Sequence, residues 1–258
     1  MAYDDPQLID EAKKKAAGPL GQKLAEFPLR FAAPVFFADI PAKGKQPKAN
    51  NGTITLIKFG ERFLGVTCFH VLDKYRKQLS QDPNRVFQIG NVRLAPLDRL
   101  IDESKDLDLA TLDLTGLEAS KIMVDRELNY FEPAHWPPNP ISAGEFVALA
   151  GFPGVWREHP GHRKVSFASF SLGATIVTDA TQRTIVCSLE RNYWIQSLGP
   201  PMAADLMKAG GLSGGPVFKW AGLAADLVGI IYEYSASDDY LLIRSSRFIC
   251  EDGTINEE

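Results

Sequence analysis

Apolar positions along this chain fall into short runs, not into long stretches with helical spacing. FAAPVFFADI (31–40), GTITLIKFG (52–60), RFLGVTCFHVL (62–72), RVFQIG (85–90), LDLATLDL (107–114), EFVALAGF (145–152), ATIVT (174–178), TIVCSL (184–189), LVGIIYEY (227–234) and YLLIRS (240–245) are rich in β-branched and aromatic residues. Gly, Pro, Asn and Asp punctuate them, a pattern that predicts strands joined by turns in an antiparallel barrel or sandwich and speaks against βαβ units. Only the N-terminus reads as a helix, where Asp5 and Pro6 precede QLIDEAKKKAA (7–17). The polar stretch PAKGKQPKANNG (41–52) predicts a loop, and PAHWPPNP (133–140), with four prolines in eight positions, predicts a junction between two units.

Composition narrows the picture modestly. The chain has 258 residues and a formal net charge of −4, with no basic block that would draw it to nucleic acid or an anionic membrane. Cys68, Cys187 and Cys250 are odd in number and widely spaced, which suits reduced thiols and neither a disulfide framework nor a zinc site. No run reaches the ~18 apolar residues of a membrane span, and the charged N-terminus does not read as a secretory signal. The expectation is a soluble, cytoplasmic protein.

The chemistry concentrates in AGGLSGGPVF (209–218), where glycines leave Ser213 with little neighbouring bulk. All four histidines, His70, His135, His159 and His162, precede it, which excludes the serine, acid, histidine order of α/β-hydrolases and leaves histidine, acid, serine open. His70 closes an apolar run that would hold it at a strand end or in the turn after it. His135, His159 and His162 sit in Pro-rich or charged loops, and a His159/His162 metal pair lacks supporting ligands, so no metal is expected. For the acid, Asp108 shares the parity of Ala110 and Leu112 on a predicted strand and would face inward. Asp106 has the same parity nearer a charged loop, and Asp113 would face solvent.

Four motifs in order then resemble one family. GVTCFHV (65–71), DLATL (108–112), GLSGGPVF (211–218) and LVGIIYEY (227–234) are similar to the histidine, aspartate, serine and post-serine segments of trypsin-like (chymotrypsin-fold) serine peptidases. The resemblance covers roughly residues 52 to 245. It implies an all-β fold of two six-stranded antiparallel β-barrels with the active site between them and a short N-terminal helix. The divisions would be 1–27 for the helical segment, 28–132 for the first barrel with His70 and Asp108, 133–144 for the Pro-rich connection, and 145–258 for the second barrel with Ser213.

By the same resemblance the chain is a serine endopeptidase acting on polypeptides through an acyl-enzyme, without a cofactor. Ser213 is the expected nucleophile, His70 the base, Asp108 its orienting acid, and the N–H groups of Gly211 and Ser213 the oxyanion hole. Met207, Tyr232, Glu233 and Tyr234 are the expected pocket residues. Leu212 stands where digestive members carry an aspartate that pairs with a new N-terminus, so the chain resembles the bacterial and intracellular branch, with Leu212 turned into the interior. The alternative is a catalytically silent peptide-binding or scaffolding module on the same fold. No regulatory partner is legible.

Overall fold

The computed structural model describes residues 14, 17–39, 49–123, 127–161, 164–189, 210–222, 224–235 and 237–258. The expected helix at 7–17, apart from residues 14 and 17, the loop residues 41–48, His162 and Met207 lie outside these.

Helix α1 (Pro19–Leu29) leads into the first sheet. Its strands are β1 (Ala32–Ala38), β2 (Ala49–Phe59), β3 (Arg62–Thr67), β4 (Val86–Ile89), β5 (Val92–Leu94), β6 (Leu100–Ser104) and β7 (Leu109–Asp113). They pair antiparallel in the order β5-β4-β1-β2-β3-β7-β6. The second unit is a closed barrel, as the resemblance implies. It consists of β8 (Phe146–Gly151), β11 (Phe170–Ala180), β12 (Thr184–Ser188), β13 (Pro216–Ala221), β14 (Ala224–Ser235) and β15 (Tyr240–Ser245), in the order β11-β12-β15-β14-β13-β8. Strands β9 (Arg157–Gly161) and β10 (Lys164–Phe167) form a separate ribbon. The all-β, two-barrel expectation therefore holds. In detail, seven strands make up the first unit and its end strands, β5 and β6, are not paired with each other. Residues 132–145, which include the Pro-rich stretch, contain no strand, since proline cannot donate to a ladder.

Strand prediction missed in two places, in opposite directions. The run RFLGVTCFHVL is not one strand, because the chain leaves β3 at Thr67 and enters helix α2 (Phe69–Gln81). That helix buries Val71, Leu72 and Tyr75 while its charged residues face out, and it stops at Asp82, which precedes Pro83 and is held extended by it. At the other site, β2 begins at Ala49 and incorporates the end of the expected loop.

Each unit has its own apolar core, and a third cluster joins them. Phe31, Ile57, Val66, Leu109 and Phe131 from the first unit pack with Phe218, Leu227, Ile230, Phe248 and Ile249 from the second. Phe131 meets Phe218 edge-on with ring centroids 4.9 Å apart, and Phe31 meets Phe131 at 5.3 Å. Edge-to-face pairs of this kind add about 0.5–1.5 kcal/mol each beyond area burial. The seam thus fixes how the two units face one another.

Candidate active site

Strands β3 and β7 are antiparallel neighbours, with Thr67 opposite Ala110, so the end of β3 and the start of β7 lie side by side. His70 is the second residue of α2, and Asp108 is the last residue of the turn before β7. The two side chains meet there. Nδ1 of His70 lies 2.7 Å from Oδ2 of Asp108, and the His70 backbone N–H donates to Oδ1 at 2.9 Å. One carboxylate therefore satisfies an N–H of the first helical turn, which has no intrahelical acceptor, and orients the imidazole as well. A carboxylate only accepts, so in the neutral imidazole this contact places the proton on Nδ1 and leaves the lone pair on Nε2.

The strand-parity argument for Asp108 does not describe this arrangement. Asp108 is not on the strand but has a left-handed backbone, φ 53°, and β7 is buried on both faces from Leu109 to Leu112. In such a strand parity carries no information. Asp106 is exposed and ion-paired with Arg183, whose guanidinium holds the Asp106 carboxyl below the usual range. Asp113 is exposed, as expected.

The glycine-rich loop before β13 is anchored carbonyl by carbonyl. Gly154 N–H donates to Gly210 O at 2.7 Å, Gly215 N–H to Leu212 O at 2.9 Å, Thr53 N–H to Ser213 O at 2.8 Å and Ile231 N–H to Gly215 O at 2.8 Å. The hydroxyls of Thr53 and Thr55 donate to Gly211 O at 2.7 Å and Gly214 O at 2.8 Å. Because each peptide is planar and trans, fixing a carbonyl also fixes the following N–H on the opposite side. Among the described residues, no acceptor takes the N–H of Gly211 or of Ser213. Glycine is required at Gly211 and at Gly214, where φ is positive as well. A Cβ on Gly211 (φ 114°) would lie 2.3 Å from Asn51 Nδ2 and 2.5 Å from Phe152 O, and one on Gly214 (φ 96°) would lie 1.8 Å from Thr53 O.

The Ser213 hydroxyl donates to Tyr232 O at 3.1 Å, and no hydrogen bond joins it to His70. The two are nonetheless at one seam. Ile231 O accepts both Gly214 N–H at 2.8 Å and Cys68 Sγ at 3.3 Å, which ties the residue after Ser213 to the residue two before His70. A side chain on Gly52 would touch the Val71 methyls at 3.1 Å and Ser213 O at 3.4 Å.

Cys68 Sγ, a ring nitrogen of His70 and a carboxylate oxygen of Asp108 lie within 4.8 Å of one another, the one such group of potential metal ligands among the described residues. Burial pushes the Cys68 thiol up, with Asp108 adding to the effect. A thiol kept protonated is a poor metal ligand.

The expected pocket residues Tyr232, Glu233 and Tyr234 lie side by side on β14. The Tyr232 ring lies 4.6 Å from the Arg244 guanidinium carbon and packs against the first core. Tyr234 packs against the barrel core and donates to Asp239. Glu233 is exposed, and Met207 is outside the described residues. Leu212 is buried in the barrel core, as expected. His135 faces Asp226 at 3.5 Å, away from this site, and the backbone of His159 runs in β9. The three cysteines are unpaired. Residues the sequence did not point to are Thr53 and Thr55, whose hydroxyls hold the loop, and Asn51, whose amide donates to Phe152 O beside it. Their alternation in NNGTIT reads only as one face of a strand.

No protein-family model matches the sequence, and no curated protein matches it either. Among solved structures, the chain is similar to the active form of the Rv3671c protease from M. tuberculosis, at 13% identity and TM-score 0.42, over 94% of this chain and 82% of that one. It is also similar to the thermostable serine protease AL20 from an extremophilic microorganism, at 12% identity and TM-score 0.44, over 84% of this chain and 91% of that one. At such scores the fold rests on the strand topology itself. None of the helices described is long and apolar enough to cross a membrane.

Proposed function

We propose that the chain is a serine endopeptidase that hydrolyses peptide bonds through an acyl-enzyme. His70, held through Nδ1 by Asp108, takes the Ser213 proton at Nε2 as the hydroxyl attacks a substrate carbonyl, and returns it to the leaving amine. The carbonyl oxygen, gaining negative charge, is received by the N–H groups of Gly211 and Ser213. The observation that carries this reading is the serine loop: carbonyls 210 to 215 each have a donor, while the N–H groups of 211, 212 and 213 have no acceptor among the described residues, which leaves those of 211 and 213 available to an oxyanion. The proposed substrate is a polypeptide. The division at the Pro-rich connection, with His70 and Asp108 before it and Ser213 after it, belongs to the same proposal.

One observation favours the silent binding module instead: the Ser213 hydroxyl is bonded to Tyr232 O and not to His70. Catalytic hydrogen bonds often tighten only once substrate is bound, and a serine hydroxyl changes partner by rotation about its Cα–Cβ bond. Labelling with a fluorophosphonate, followed by peptide mapping, separates the two. Modification of Ser213, abolished in Ser213→Ala and accompanied by peptide hydrolysis, is the expected result. No labelling of the folded protein would support the binding module.

A further inference from the structure

Arg244, in β15, is buried and makes no ion pair among the described residues. A desolvated guanidinium with no carboxylate in contact is costly, and it persists where its donors meet well-placed acceptors. Here Nε donates to Leu107 O at 2.6 Å, and Nη1 donates to Arg183 O at 3.1 Å and to Thr184 Oγ1 at 3.3 Å. The group also lies over the Tyr232 ring, 4.6 Å from its centroid.

These partners link three parts of the site. Leu107 is fully buried and immediately precedes Asp108. Holding the Leu107 carbonyl fixes the peptide plane through which Asp108 enters its left-handed conformation, φ 53°. Arg183 and Thr184 lie at the β11–β12 hairpin, and the Arg183 side chain pairs with Asp106 in the same turn as Asp108. Tyr232, under the guanidinium, supplies the carbonyl that accepts the Ser213 hydroxyl.

We infer that Arg244 is a positioning residue for Asp108. From the second barrel it fixes the peptide entering Asp108, and so sets where the His70–Asp108 pair stands relative to the serine loop. This inference rests on the peptidase reading for its kinetic consequences, while its geometric claim can be tested apart from activity. Misplacement of a catalytic group by about 1 Å costs on the order of 10²-fold in rate.

The test compares wild type with Arg244→Met, which keeps an unbranched stem out to the Nε position and loses every donor, and Arg244→Lys, which keeps charge and one donor group. Folding is followed by circular dichroism, chemistry by fluorophosphonate labelling and peptide hydrolysis, and the pair itself by the NMR signal of the His70 Nδ1 proton. Arg244→Met is expected to fold, to lose ~10²-fold in kcat and labelling rate with KM nearly unchanged, and to lose or shift the Nδ1 signal. Arg244→Lys should fall between. A folded Arg244→Met with an unaltered Nδ1 signal and labelling within twofold of wild type overturns the inference, as does lower stability with both readouts intact. If Arg244→Met fails to fold, Arg244→Lys decides by the same criteria. If wild type neither labels nor hydrolyses, the peptidase reading falls, and the Nδ1 signal still shows whether Arg244 positions Asp108.

Discussion

The backbone N–H of Thr53 donates to the carbonyl oxygen of Ser213 at 2.8 Å, so a strand of the first sheet is bonded to the candidate nucleophile of the second barrel. The Thr53 hydroxyl adds two further bonds, donating to Gly211 O at 2.7 Å and accepting from Phe152 N–H at 3.0 Å. Thr53 is fully buried, with no water to replace a lost partner. Thr53→Val keeps shape and removes the hydroxyl. It should cost about 1–3 kcal/mol in urea unfolding, because a carbonyl and an N–H are left unsatisfied, and should slow fluorophosphonate labelling. Unchanged labelling would mean that the loop does not depend on this anchor.

The two bonds from His70 to Asp108 set a ranking among the acids. Asp108→Asn replaces an acceptor-only group with one that can also donate, so the imidazole tautomer is no longer enforced, and turnover should fall on the order of 10⁴-fold. Asp106→Asn, exposed and paired with Arg183, should leave most activity. Steady-state kinetics on both variants checks the order.

Leu212 tests how the loop is held. It is 1% exposed in the barrel core, and Leu212→Asp would bury a charge with no partner, a change expected to cost several kcal/mol or to force the loop to rearrange. Denaturant unfolding should register the loss, with labelling abolished at the same time. The 258-residue wild-type chain should label without prior cleavage, as intact mass spectrometry would establish.

The thiols give a pH-linked prediction. Burial raises the Cys68 thiol, and pushes the Cys187 thiol up to about 12. Above the ordinary thiol range the folded chain then holds protons that the unfolded chain releases, so raising the pH favours unfolding. Stability should be unaffected by these groups below about pH 8.5 and decline as pH rises above it. In the native state at pH 8, iodoacetamide should modify Cys250, which is only partly buried, and spare Cys68 and Cys187, as peptide mapping would record.

How legible these features were in the sequence depends on how local their causes are. The strands are legible because β-branched runs bounded by turn residues describe a local preference, and β11, β12, β14 and β15 fall on such runs. Helix α2 was hidden because its first apolar residues continue those of β3 without a break. Its helical spacing, Val71, Leu72 and Tyr75, emerges only when Cys68 is taken as the end of the strand. The candidate chemistry at His70, Asp108 and Ser213 was legible as motif order, but the turn that presents Asp108 was not, since nothing local distinguishes a left-handed Asp108 from a strand residue. Thr53, Thr55 and Arg244 act through partners more than a hundred residues away in the chain, and no pattern within a strand encodes a distant acceptor.

Strand β15 has a temporal consequence. It sits between β12 and β14 in the closed barrel, and Phe248 and Ile249, just after it, fill the seam between the two units. A chain is synthesised from its N-terminus, and its domains fold as units. While β15 is still inside the ribosome, the barrel cannot close and Leu107 has no guanidinium to hold it. A nascent chain in which His70, Asp108 and Ser213 have already emerged therefore still lacks both the closed barrel and the guanidinium that holds Leu107.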